Sequence, residues 1–223
     1  MNSKQIAGEK ACDFIQDGMI VGLGTGSTAY YMIQKLGDRV AEGLNVTGVV
    51  TSKATEKLAV ERNIPLMELN DVTEIDLTID GADEVDGEFR GVKGGGGALL
   101  FEKLVANVSK KSIWVVGEDK VVATLGAFPL PVEVVPFGYK QVERQLEARG
   151  YKPKLRHHED GSLYLTDSQN YILDLHIGSI ANPEDLNNWL NNLPGVVENG
   201  LFLNYASTIV IGFSDGKVEV RDK

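Results

Sequence analysis

Met19-Ile-Val-Gly-Leu-Gly-Thr-Gly-Ser-Thr28 decides the architecture of this chain. Met19–Leu23 is a short apolar run that ends in glycines, the pattern of a buried strand. The segment from Ser27 to Val40 then reads as a helix. Upstream, Ile6, Ala7, Ala11, Phe14 and Ile15 form an apolar stripe at helical spacing within 4–17. Downstream, Val46–Thr51 predicts a second strand and Ala54–Arg62 a helix that ends before Pro65. Further strands are expected at Leu66–Leu69, Leu77–Ile79 and Ile113–Val116, with a helix over Ala98–Val108. This alternation predicts the α/β class, a mostly parallel sheet with helices on both faces.

The pattern changes near Pro129. Phe128-Pro-Leu-Pro-Val-Glu-Val-Val-Pro136 is apolar and proline-rich, and predicts a strand entering a new unit. A helix over about Tyr139–Arg149 follows, then strands near Leu163–Thr166 and Tyr171–His176. Asn182 caps a helix that starts at Pro183 and runs to about Leu193, and Val196–Phe202 is a last strand. The order β-α-β-β-α-β is the split βαβ arrangement of a smaller α+β domain. The expected division is 1–128 plus 200–223 for the first domain and 129–199 for the second, with Thr208–Phe213 and Val218–Arg221 returning to the first.

Composition narrows the function. The 223 residues carry 22 Lys and Arg against 32 Asp and Glu, a net charge of −10. Nucleic-acid binding by counterion release needs clustered cations, so neither nucleic acid nor an anionic membrane surface is an expected partner. A small anion remains possible where backbone donors and a few cations are placed for it. The single cysteine, Cys12, reads as a core residue, and with His157, His158 and His176 it has no zinc-ligand spacing. No metal is expected. The N-terminus lacks the apolar stretch of a signal peptide and no run suits a membrane span, which places the chain in the cytoplasm as an expectation.

Five segments carry chemistry. In Gly22-Leu-Gly-Thr-Gly-Ser-Thr28, glycines let backbone approach an anion and a helix start supplies N–H donors, a phosphate site. Ser27 stands where a dinucleotide fingerprint needs its third glycine, and no lysine completes a P-loop. Asp80-Gly-Ala-Asp83 follows a strand, where α/β sheets present ligand-binding groups. The surrounding acids do not make a calcium loop, since the twelfth position from Asp76 is Gly87. Asp76, Asp86 and Glu88 read as solvated loop acids. Lys93-Gly-Gly-Gly-Gly-Ala98 is costly to order and suits stabilisation of a developing oxyanion, with Lys93 adding a positive charge. Glu102 borders the apolar face of the following helix, where partial burial makes a carboxylate a better proton acceptor. Lys120 again follows a strand.

Together these residues resemble the type A ribose-5-phosphate isomerase family, over nearly the whole chain. The likeness is carried by Gly24-Thr-Gly-Ser-Thr28, Thr51-Ser52, Asp80-Gly-Ala-Asp-Glu84, Lys93-Gly-Gly-Gly96 and Glu102-Lys103. It continues through Phe128–Pro136, Asn170-Tyr-Ile-Leu-Asp174 and Pro194-Gly-Val-Val197. Two departures are Gly97, where relatives often have alanine, and Gly117-Glu-Asp before Lys120.

The resemblance implies a Rossmann-like domain with a smaller, ferredoxin-like α+β domain. It implies reversible conversion of D-ribose 5-phosphate to D-ribulose 5-phosphate in the non-oxidative pentose phosphate branch, without metal or other cofactor, in a homodimer or homotetramer. It implies substrate binding by Thr25, Gly26, Ser27 and Thr28, by Asp80, Gly81, Ala82 and Asp83, by Lys93, Gly94, Gly95 and Gly96, and by Lys120. Glu102 matches the family's proton acceptor. Asp80, Asp83 and Lys93 join it as catalytic residues. Two other readings are a sugar-phosphate sensor without a base and a nicotinamide-dependent oxidoreductase. The missing dinucleotide fingerprint counts against the second.

Overall fold

The structure, a computed structural model, describes residues 2–223. In chain order its elements begin with α1 (Ser3–Ala11), β1 (Ile20–Leu23), α2 (Ser27–Ala41), β2 (Thr47–Val50), α3 (Lys53–Glu61) and β3 (Leu77–Gly81). Then come β4 (Glu84–Val85), β5 (Gly91–Val92), α4 (Leu99–Asn107), β6 (Ser112–Gly117), β7 (Leu130–Val134), α5 (Tyr139–Ala148) and β8 (Pro153–Leu155). The chain closes with β9 (Tyr171–Leu175), α6 (Pro183–Asn191), β10 (Val196–Asn199), β11 (Leu201–Phe202), β12 (Thr208–Gly212) and β13 (Val218–Asp222). The chain forms two compact units, one of residues up to Ala82 with Phe101–Val121 and Asn204–Lys223, the other of Asp83–Leu100 and Val122–Leu203.

The first unit holds a six-stranded sheet in the order β13-β12-β6-β3-β1-β2. All its neighbours are parallel except β13, which returns antiparallel along β12. Strands β6 and β12 are buried at every position, which explains why they read as unbroken apolar runs. The core gathers Ala7, Cys12, Val21, Leu23, Met32 and Ile79 among others. Burial pushes the Cys12 thiol up to about 12, which leaves it an inert core group. The helix expected over 4–17 is shorter, giving way to a 3-10 turn at Cys12–Phe14.

The second unit is α+β. Its four-stranded sheet runs β10-β7-β9-β8, every pair antiparallel, the order of a split βαβ fold. Helices α5 and α6 contribute Val142, Leu146, Leu186 and Leu190 to its core. A separate three-stranded sheet, β11-β5-β4, joins Leu201 to Val92 and Val92 to Glu84. Through that sheet the unit takes in 83–100, 122–128 and 200–203 besides 129–199.

Three expected strands come out differently. Leu66–Leu69 makes only a single bridge, Leu66 to Gly48, because a 3-10 turn begins at Leu69. Leu163–Thr166 likewise makes one bridge, Leu163 to His157, and the strand beside β9 is Pro153–Leu155. Val196–Phe202 divides at Gly200: β10 pairs with β7, and β11 pairs with β5. A Cβ on Gly200 would lie 2.4 Å from the Lys93 carbonyl oxygen, so glycine permits the crossing.

Candidate active site

In the first unit, β1 delivers the chain to the Gly24–Thr28 loop at its carboxyl end. Gly26 caps α2 with φ of 106°, a conformation that favours glycine. The first N–H groups of a 15-residue helix then open on Ser27 and Thr28. Asp80, at the end of β3, is 2% exposed. Its Oδ1 accepts hydrogen bonds from the backbone N–H of Thr25 (3.0 Å) and of Gly81 (2.8 Å). Gly24 makes this approach possible, since a Cβ there would fall 2.2 Å from that oxygen. Gly81 lies against Thr25.

Beneath the loop sits a cluster of hydroxyls. Thr51 Oγ1 donates to the Leu23 carbonyl (3.0 Å) and Thr55 Oγ1 to the Gly24 carbonyl (2.9 Å). Ser52 donates to Thr55 (3.1 Å) while its Oγ caps α3 by accepting from the Thr55 N–H. With those protons committed, the Thr25 hydroxyl is left to donate inward, to Thr51 at 2.7 Å or Ser52 at 2.8 Å. Its remaining capacity is to accept. Ser27 has the opposite polarity: its Oγ accepts from Lys4 Nζ at 3.0 Å and keeps its own proton to give.

Lys4 carried no signal in the sequence, because its partner lies 23 residues away. The same holds for the hydroxyl cluster, of which only Thr51-Ser52 stood out. Glu102 lies on α4 and is 5% exposed. Lys120 ends a 3-10 turn after β6, with its side chain 30% exposed.

In the second unit, Asp83 Oδ2 accepts from the Gly95 N–H at 2.7 Å. Lys93 is 2% exposed; its N–H bonds the Gly200 carbonyl at 2.9 Å, and its Nζ lies 5.2 Å from the Phe202 ring centroid. Gly94 and Gly97 take positive φ, 99° and 77°. The carbonyls of Gly94, Gly95 and Gly96 all receive side-chain donors from Arg156 and Tyr164, residues that the sequence did not mark.

The remaining acids have structural work. Glu84 accepts from the N–H groups of Gly126 (2.6 Å) and Phe128 (2.7 Å), and so fixes the chain entering β7. Asp86 is held by Arg90, and Asp76 by Lys110 and the Ile20 N–H, which keep the Asp76 carboxyl below its ordinary range. Among the described residues no group of three or more His, Cys, Asp or Glu could hold a metal ion. None of their helices is long and apolar enough to cross a membrane.

A family model for ribose 5-phosphate isomerase A (phosphoriboisomerase A) matches residues 47–216. The ribose-5-phosphate isomerase A of Listeria innocua serovar 6a is 56% identical over 223 residues, covering 100% of both chains. A D-ribose-5-phosphate isomerase solved in complex with phospho-erythronic acid is 37% identical, with a TM-score of 0.95 over 100% of both chains. The ribose 5-phosphate isomerase A structure from Methanocaldococcus jannaschii is also 37% identical, with a TM-score of 0.93 over 99% of this chain and 98% of that one.

Proposed function

The chain belongs to the ribose 5-phosphate isomerase A family, and on that premise we propose how its residues interconvert D-ribose 5-phosphate and D-ribulose 5-phosphate. The observation that carries the reading is a helix start built to take an anion, with a buried carboxylate pinned beside it. Asp80 is held there by two backbone N–H groups.

The phosphate is taken by the N–H groups that open α2, by the hydroxyls of Ser27 and Thr28, and by Lys4 and Lys120. Thr25, whose proton is spent inward, accepts from a sugar hydroxyl. Aldose and ketose differ by one proton moved between C2 and C1. The Glu102 carboxylate takes the proton from C2. The electron pair of that C–H bond becomes the C1=C2 double bond, and the C1 carbonyl oxygen gains the negative charge. The protonated Glu102 carboxyl, which exchanges with solvent in a fraction of turnovers, gives its proton to C1 as the O2 proton is lost and C2 becomes the carbonyl. Asp80 or Asp83 takes the proton from O2 and supplies one to O1. Lys93 and the N–H groups of Gly94 and Gly96 stabilise the enediolate oxygen, while the Gly95 N–H holds Asp83. No electrons leave the sugar, so the reaction needs no redox cofactor, and the assignment uses no metal.

The reading includes a cytoplasmic setting in the non-oxidative pentose phosphate branch and a homodimer or homotetramer. Light scattering at two or four times 24.2 kDa supports the assembly, and a monomer mass sinks it. The deciding experiment is ketose formation from ribose 5-phosphate in chelator-treated buffer. Rapid formation of ribulose 5-phosphate supports the reaction and its metal independence. Binding without turnover by folded protein moves the reading to a sensor, and activity restored only by added metal overturns the metal-free mechanism.

A further inference from the structure

We propose that Arg156 is a positioning residue for the Lys93–Gly97 loop, and that Asp174 and Tyr164 complete the brace. The inference rests on the oxyanion role given to that loop above. Arg156 Nη1 donates to the carbonyls of Gly94 (2.9 Å) and Gly95 (3.1 Å). Its Nε and Nη2 grip the two carboxylate oxygens of Asp174, Nε to Oδ2 at 2.8 Å. Tyr164 Oη donates to the Gly96 carbonyl at 2.9 Å, and its ring centroid lies 5.6 Å from the guanidinium carbon. Three consecutive carbonyls of the glycine run are therefore held by two side chains.

The geometry of the peptide unit gives this a consequence. In a trans peptide the C=O and the following N–H point in opposite directions. The carbonyls of Gly94 and Gly95 converge on one nitrogen, so the N–H groups of Gly95 and Gly96 are turned away from it. The Gly95 N–H accordingly reaches Asp83 at 2.7 Å. One brace therefore fixes two groups of the proposed chemistry: the Asp83 carboxylate, held by the Gly95 N–H, and the Gly96 N–H, turned to the same side as a donor. Four glycines would otherwise sample many conformations, and an oxyanion site works by having its donors set in advance.

The run has one turn bond of its own, from the Gly97 N–H to the Gly94 carbonyl at 2.9 Å, and Arg156 fixes the two peptide units that this bond leaves to rotate. Asp174 aims the guanidinium through a two-point grip that lysine cannot reproduce. The side chain is not needed to hold its own segment in place, since the Arg156 N–H already bonds the Ile172 carbonyl at 2.9 Å.

The test compares Arg156→Ala and Arg156→Lys with the unaltered chain. It reads kcat and KM for ribose 5-phosphate, and inhibition constants for phospho-erythronate and for inorganic phosphate. The carboxylate of phospho-erythronate carries negative charge as the enediolate oxygen does, whereas inorganic phosphate reports the phosphate site alone. Arg156→Ala should lower kcat about 100-fold and weaken phospho-erythronate at least about tenfold, with KM and phosphate inhibition within about threefold. Arg156→Lys should lose about tenfold in kcat, and added guanidinium should restore turnover in Arg156→Ala only. Turnover within about threefold of the unaltered chain overturns the proposal, as does a loss of phosphate binding that keeps step with the loss of phospho-erythronate. If the unaltered chain bound phospho-erythronate without turnover, the isomerase mechanism would fall, and dissociation constants from calorimetry for phospho-erythronate and phosphate would still decide the brace.

Discussion

Two glycine-rich loops in this chain are ordered in opposite ways. Gly24–Thr28 is set by its own neighbourhood: a parallel strand enters it, a long helix leaves it, and Asp80 and a hydroxyl cluster hold it from below. Lys93–Gly97 follows a two-residue strand and is held by Arg156 and Tyr164, more than sixty positions along the chain. The first loop gains its donors from a helix terminus, and Asp80 and the hydroxyl cluster fix the chain entering it. The second has no helix terminus to supply donors; its Gly97 N–H closes a turn on the Gly94 carbonyl at 2.9 Å, and side chains from the β8–β9 segment grip three of its carbonyls. The donors proposed for the phosphate come from a helix terminus, whereas those proposed for the oxyanion lie in a turn whose carbonyls are gripped by side chains from far along the chain.

The largest expected effect lies outside both loops. Glu102→Gln should reduce kcat about a thousandfold while inorganic phosphate and phospho-erythronate still bind, as steady-state kinetics and competition would read. Near-normal turnover removes Glu102 from its role.

The next pair breaks the loops one at a time. Gly24→Ala forces a Cβ to within 2.2 Å of the buried Asp80 oxygen, so either the carboxylate or the loop must move. Phosphate affinity and turnover should both fall, with a stability loss of about 1–3 kcal/mol by thermal melting. Gly97→Ala meets the Tyr164 hydroxyl, the far end of a side chain, and sits at φ of 77°. It should cost about 1 kcal/mol of stability and lower kcat without touching phosphate inhibition. Equal effects of the two on phosphate binding would erase the contrast.

Lys4→Met should weaken phosphate inhibition and raise KM by about tenfold with kcat nearly unchanged, because one charge-assisted bond is removed from the first loop's side. A kcat loss without a KM change would move Lys4 out of the phosphate site.

The smallest effect tests the smaller unit's own core. Glu133, 1% exposed on β7, accepts at one oxygen from Thr166 and Asn170, while its Oε2 is buried without a hydrogen-bond partner. Burial raises its pKa above the ordinary carboxyl value, outweighing those two bonds. Over the window between the ordinary and the raised value the folded state binds more protons than the unfolded one. Stability is therefore full below that window and falls as pH rises through it. Glu133→Gln should flatten this part of the melting-temperature profile; an unchanged slope assigns the slope to other groups.

Most of the fold was legible because buried strands and amphipathic helices impose their own periods. β1, α2, β3, β6 and β12 are each carried by local apolar patterning. The strands that escaped are those without a pattern to read. β8 is three residues around an exposed lysine, and β4 and β5 have two residues each, while β11 reads only as the tail of one strand with β10. Their pairing is decided by partners far along the chain. The same division runs through the candidate site. Glycine runs, the Asp80–Asp83 stretch and Glu102 are contiguous and chemically conspicuous. Lys4, Arg156 and Tyr164 acquire meaning only from Ser27 and the glycine carbonyls, which folding brings to them. Asp174 stood within a recognised motif, but nothing in the sequence tied it to Arg156.

In the proposed mechanism a proton, and not a hydride, moves between C2 and C1. Holding ribose 5-phosphate with the protein in chelator-treated heavy water for many turnovers, and assaying both sugars by NMR, reads this directly. Solvent deuterium should appear at C1 of ribulose 5-phosphate and at C2 of ribose 5-phosphate, and should be abolished in Glu102→Gln. Full interconversion with no deuterium at either carbon would contradict it.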